Sequence, residues 1–218
     1  MGEGETSGGW MIKKQNRCGP LFPAKGLVIG VIAILLLSLA PYYLSYSTLP
    51  QSSDVIIIFV GPDQEIKTKK AHELIEKNLA RYLYIPAYSK LMLVDETQAL
   101  EEIEIKGLPT EDLVEGEIGR KLQSRKLENT HREVLLAKDM MYRLGIRSAI
   151  FVSLPYHMRR IKHIAEEELN ESDFDTFFVS AGAPLKNQYL WWLDKDSRWW
   201  VPREYVKILW FHLYNPFI

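Results

Sequence analysis

The chain has 218 residues, 25% of them charged, and a formal net charge of −1. So balanced a chain offers no field for nucleic acid, and none is expected as a partner. The single cysteine, Cys18, excludes an internal disulfide framework and any thiolate chemistry further along the chain.

Residues 1–25 read as a short tail carrying Lys13, Lys14, Arg17 and Lys25. Residues 26–46 (GLVIGVIAILLLSLAPYYLSY) carry no charge. As a helix this run is roughly 31 Å long, enough to cross a hydrocarbon core of about 30 Å. The basic residues before it and the acidic Asp54, Asp63 and Glu65 after it predict a tail inside the cell. The expected location is the cell (inner) membrane, single-pass, with an extracytoplasmic or periplasmic C-terminal domain. Tyr42, Tyr43 and Tyr46 stand where an aromatic belt would hold the outer end. A cleaved signal peptide is the alternative, but Ser38-Leu39-Ala40 is followed by Pro41 and the run is long for a signal. The flanking charges argue against a buried core helix.

A polar linker covers 47–53, and 165 residues remain beyond it, one ordinary domain. Residues 54–60 (DVIIIFV) run without alternation into Gly61-Pro62, the pattern of a strand buried on both faces. Ala71, Leu74, Ile75, Leu79 and Tyr82 recur at helical spacing within 66–82. Short apolar segments follow at 82–85 and 90–94, whereas 95–128 gives no clear pattern. Asn129 or Thr130 is expected to cap a helix over 131–144, stopped by Gly145. A strand at 148–153, a helix from about 155 to 169 with Pro155 in its first turn, and a strand at 174–180 complete the order. Such alternation predicts an α/β domain over 54–188, an open, mostly parallel sheet with helices on both faces (Rossmann-like), preceded by one N-terminal transmembrane helix.

Ligands of such sheets bind at the carboxyl ends of the strands. Two loops fit that position, Gly61-Pro62-Asp63-Gln64 and Ser153-Leu154-Pro155-Tyr156-His157-Met158-Arg159-Arg160. His157 and Arg160, three apart, share a helix face. A guanidinium at a helix start suits a phosphate or another anion, and an imidazole suits proton transfer near neutral pH. His157 and Asp63 are therefore the candidate acid–base residues, and Ser153, Arg160, Asn129 and Thr130 the candidate anion-binding residues. Plainer readings stand beside these. Ser153 also serves as a helix cap, Arg159 with Lys162 as a solvated face, and Thr130 with Glu133 as a capping box. His131 and His72 are expected to be exposed. No metal-ligand spacing, phosphate-binding glycine loop or nucleophile elbow is present, so neither metal nor cofactor is expected.

Asn129-Thr130, Gly145-Ile146, Ala149-Ile150-Phe151-Val152-Ser153 and Tyr156-His157-Met158-Arg159-Arg160 together resemble the YdcF/SanA/ElyC-like family, the domain of unknown function 218. The likeness is close over about 129–161 and looser over 54–80, about a third of the chain closely. It marks Asn129, Thr130, Ser153, His157 and Arg160. A single N-terminal anchor before the domain is a common layout of that family. The chain departs from the pattern where the family has a glycine-rich turn after the first strand; here Gly61 is followed by Pro62 and Asp63. Arg132 stands where an acid is usual, Pro86-Ala87-Tyr88-Ser89 where a small-residue turn is usual, and Ile161 where the helix usually has alanine. The resemblance implies cell-envelope biogenesis, including peptidoglycan and lipid-carrier metabolism. A phosphorylated glycan or polyprenyl phosphate is then the candidate ligand. One branch of the family binds S-adenosylmethionine, a ligand that an extracytoplasmic domain would not meet. A noncatalytic membrane-tethered module with a vestigial pocket is the alternative.

The extension 189–218 holds five of the six tryptophans, four of them as the pairs Trp191-Trp192 and Trp199-Trp200. A helix is expected over 203–215. Three roles compete for these rings: packing the last helix on the sheet, resting in the lipid interface beside the anchor, or forming a glycan platform.

Overall fold

The computed structural model describes residues 21–95, 97–103, 108, 110, 113–170, 172–182 and 188–218. The tail before residue 21, with its basic residues and Cys18, lies outside the described residues. The chain divides into two units, Met1–Leu37 and Ser38–Ile218. Helix α1, Leu21–Leu44, belongs to the first unit up to Leu37, and its last turns belong to the second. Gly26–Leu44 is long and apolar enough to span a membrane, with a mean hydropathy of 2.4. Leu27, Ile29 and Leu36 stand well exposed on it, where a soluble core helix would bury such side chains.

The second unit is an α/β domain around a six-stranded sheet of order β4-β3-β2-β1-β5-β6. The strands are β1 (Val55–Ile58), β2 (Tyr82–Ile85), β3 (Lys90–Val94), β4 (Leu100–Glu102), β5 (Ser148–Ser153) and β6 (Asp175–Ser180). β2, β1, β5 and β6 are parallel, with Ile57 opposite Tyr84 on one side and Phe151 on the other. The two short apolar segments are β2 and β3, and β3 and β4 run antiparallel at one edge.

Helix α2 (Gln64–Glu76) leads from β1 to β2, and α5 (Pro155–Glu168) leads from β5 to β6. These crossovers run outward in opposite directions, so a common right hand places them on opposite faces. The side chains agree. Ile56, Ile58 and Ile150 pack with Ala71, Leu74 and Ile75 of α2. Val55, Ile57 and Phe151 pack on the other face with Met158 and Ile161 of α5 and with Val134 and Met141 of α4 (Asn129–Leu144). Strict alternation along β1 therefore buries both faces, as its unbroken apolar run requires.

Several local expectations change. Residues 95–128, unassigned from sequence, hold β4 and a short helix α3 (Gly116–Leu122). α4 begins at Asn129, with Glu128 at its N-cap and no side-chain cap bond. Asn129 and Thr130 thus sit inside the first turn. Glu133, expected to complete a capping box, instead accepts a hydrogen bond from the Val60 amide. His131 is fully buried, not exposed, because its ring is held between Tyr214 and Glu168. The last helix, α6 (Ser197–Tyr214), begins earlier than expected and accommodates Pro202 near its start. It takes in Trp199 and Trp200, whereas Trp191 and Trp192 lie in the preceding 3-10 segment.

Candidate functional site

The direction of crossover reverses between β1 and β5, the switch point beside which α/β sheets bind ligands. β1 leaves the sheet through Phe59 and Val60 into Gly61-Pro62-Asp63. Gly61 has φ +139°, a conformation that disfavours side chains, and Asp63 is left-handed at φ 52°. The Asp63 carbonyl accepts from the Ile66 amide and starts α2.

Two buried charges hold this turn from behind. Lys67 Nζ donates to the Phe59 carbonyl at 2.7 Å, and the Val60 amide donates to Glu133 Oε2 at 3.0 Å. Burial pushes the Lys67 ammonium down to about 8, against the attraction of Glu133 and Asp63. Burial pushes the Glu133 carboxyl up to about 7, against the Val60 hydrogen bond and the attraction of Lys67 and Arg160. One acid thus changes charge near neutral pH at the mouth of the sheet.

Glu133 lines a cleft of about 460 Å³ between the Pro86–Ser89 turn and the start of α4. Val60, Tyr88, Ser89, Thr110, Asn129 and Arg132 contribute to its wall. Asn129, Arg132, Glu133 and Leu136 recur at helical spacing, so the first two turns of α4 form one side of this space. Tyr88 is well exposed at the rim. The arrangement offers hydrogen-bond donors, an aromatic face and a titratable carboxyl.

The His-x-x-Arg start of α5 is built differently. Arg160 is one of the largest fully buried side chains of the domain. Its Nε donates to Glu204 Oε2 at 2.7 Å and its Nη1 to Glu128 Oε1 at 2.6 Å. His157 Nδ1 lies 3.1 Å from Arg160 Nη2 and 3.2 Å from Glu204 Oε1. These two contacts require opposite tautomers, so one at a time is a hydrogen bond. Burial holds the His157 pKa below its ordinary value although the Glu204 carboxylate opposes this. Burial alone would raise Glu204, but His157 and Arg160 bring it down to about 2. An incoming anion would have to displace a carboxylate to reach the Arg160 guanidinium.

The structure therefore separates the residues singled out from sequence. Asn129 lies at the cleft, with Thr130 next to it in the first turn of α4. Asp63 is exposed on the β1 turn, its charge bearing on Lys67 and Tyr156. Ser153 is buried at the end of β5, its carbonyl bound by the Ala181 amide. His157 and Arg160 join α5 to α6. Arg159 lies over Tyr43 and Tyr46 at 4.6 and 4.7 Å rather than in open solvent. Lys67, Glu128, Glu133 and Glu204 escaped the sequence reading. Lys67 sat within a run of exposed-looking lysines, and Glu133 fitted a local cap that explained it too easily. Among the described residues no three His, Cys, Asp or Glu side chains group as metal ligands. Comparisons with protein-family models, curated proteins and solved structures found no match.

Proposed function

We propose that the chain is a membrane-anchored, extracytoplasmic Rossmann-like domain of the YdcF/SanA/ElyC-like type, serving cell-envelope biogenesis. Its cleft beside Glu133 would take a phosphate-bearing glycan or lipid-carrier intermediate. The observation that carries this reading is the meeting of Asn129, Arg132 and the near-neutral Glu133 carboxyl in one cleft at the carboxyl end of β1. Asn129 and the Arg132 guanidinium suit a phosphate. Tyr88, Ser89 and Thr110 suit a sugar, with an aromatic face for its ring and hydroxyls for its edges. Glu133 would give or take a proton as phosphoester or pyrophosphate chemistry proceeds. Lys67 would hold Glu133 and the β1 turn in register. A membrane tether brings such a pocket to lipid-linked substrates.

The closed Arg160–Glu204–Glu128 cluster favours a second reading, a noncatalytic binding module, because the His-x-x-Arg motif is spent on joining helices. Full-length protein in nanodiscs, titrated with polyprenyl phosphates and phosphorylated glycans, tests both. Binding with turnover supports the enzyme, binding without turnover supports the module, and no binding to any of them contradicts the proposal.

A further inference from the structure

Helix α6 is apolar on two opposite sides. Val201, Ile208, Phe211 and Tyr214 face inward and are buried. Trp199, Val206, Leu209, Trp210 and Leu213 fall within one stripe on the other side at 100° per residue. That stripe is bare: Trp199 is 60% exposed, Val206 65%, Leu209 60% and Leu213 56%. A helix with one buried face normally presents polar residues on the other.

What covers this face is indicated by what α6 touches. The end of α1 within this unit packs beside the stripe, on the flank and inward side of α6. The Tyr205 hydroxyl donates to the Ala40 carbonyl at 2.8 Å, and the Tyr205 ring stacks on Tyr43 with centroids 5.8 Å apart. Leu44 shares an apolar cluster with Trp191, Val201 and Ile208. Ala40 to Leu44 belong to the apolar span itself. The 3-10 segment before α6 meets the same helix end, with Tyr42 and Tyr189 centroids 5.4 Å apart, and it leaves Tyr189 and Leu193 exposed. Cations edge the stripe at both ends. Arg203 lies over the Trp199 ring at 5.0 Å, and Lys126 over the Phe217 ring at 5.7 Å. Tryptophans, aliphatic side chains and flanking cations beside a spanning helix match the composition of an interfacial helix.

We propose that the outward face of α6 is a membrane-seating surface, lying in the interfacial layer of the bilayer that α1 enters, with Arg203 and Lys126 at anionic headgroups. The proposal rests on α1 being a membrane anchor. A lipid surface meets α6 and the Tyr189–Leu193 segment together, since both adjoin the point where the span ends. A protein partner would have to compete there with the lipid around Ala40–Leu44.

The test uses the full chain carrying Cys18→Ser and one nitroxide label, at Leu209→Cys or Leu213→Cys, with Tyr88→Cys as the aqueous reference. Labelled protein is placed in nanodiscs of phosphatidylcholine and phosphatidylglycerol. Collision rates with oxygen and with a neutral nickel chelate are then compared. The expected oxygen-to-nickel ratio at 209 and 213 is several-fold above that at 88. Equal ratios with the chain still resistant to alkaline carbonate extraction overturn the seating of α6 and leave the anchor intact. Release by carbonate overturns both. Label–label broadening at 209 that vanishes on dilution with unlabelled chain identifies a second copy as the occupant and also overturns the proposal.

Discussion

Arg160 Nε donates to Glu204 Oε2 at 2.7 Å inside the domain, tying the start of α5 to the middle of α6. This pair, with Glu128 on the N-cap of α4, locks three helices together through charge where the strands end. A buried ion pair adds little beyond well-packed apolar residues, yet breaking one side of it is costly.

Glu204→Gln is therefore expected to cost up to about 3 kcal/mol at pH 7, because Arg160 keeps its charge and loses one of its two carboxylate partners while Glu128 stays. The Glu204 carboxyl is held at about 2 in the folded chain, well below its ordinary value. The stability it lends is present above the ordinary glutamate range and is lost as pH falls toward 2. Denaturant titrations of variant and parent at several pH values check this; the gap between them should close on acidification.

Glu133 runs the other way. Its folded value of about 7 lies above its ordinary one. Below the ordinary value both states are protonated and nothing is lost. As pH rises toward 7 the unfolded state ionises first, and stability falls by roughly 3 kcal/mol. Glu133→Gln should flatten that decline between pH 5 and 7.5. An equally steep decline in the variant would show that Glu133 titrates normally.

The parts visible in the sequence were those encoded in short-range patterns. The unbroken DVIIIFV run announced β1, and the 3.6-residue spacing with Gly145 announced α4. Gly145 ends that helix in a left-handed conformation at φ 65°. The antiparallel edge was not visible, since β4 spans only Leu100–Glu102 and its pairing with β3 is set by tertiary contacts. The candidate site was half legible. Asn129 could be found at a helix start, but Lys67 and Glu133 gain their meaning only when Phe59 and Val60 come between them. The partner of Arg160 lies 44 residues away in a helix whose early start was hidden by Pro202. Local spacing put His157 and Arg160 on one face, and only the packed chain shows that α6 covers it.

Gly119 of α3 lies where a Cβ would run into the Val114 carbonyl. Gly119→Ala is expected to destabilise the domain by about 1 to 3 kcal/mol, since backbone must move to admit the methyl group. Chemical denaturation measures the loss, and a change within 0.5 kcal/mol would mean that the segment around Val114 yields freely.

The orientation of α1 is open to a direct check. Alkaline phosphatase fused after Ile218 should be active in cells, and a green fluorescent protein fused there and exported unfolded should be dark. The reverse pattern would place the domain in the cytoplasm.

The most direct measurement is ligand affinity of the full-length protein in nanodiscs, taken with a polyprenyl phosphate, for the parent, Ala87→Trp and His157→Gln. Ala87 is an exposed wall residue of the cleft, so tryptophan there fills the space without disturbing the core. The account predicts saturable binding by the parent, loss of at least tenfold in affinity for Ala87→Trp (about 1.4 kcal/mol or more), and a change within about twofold for His157→Gln (about 0.4 kcal/mol or less). Unchanged binding by Ala87→Trp together with its loss in His157→Gln would contradict the account and move the site to the start of α5.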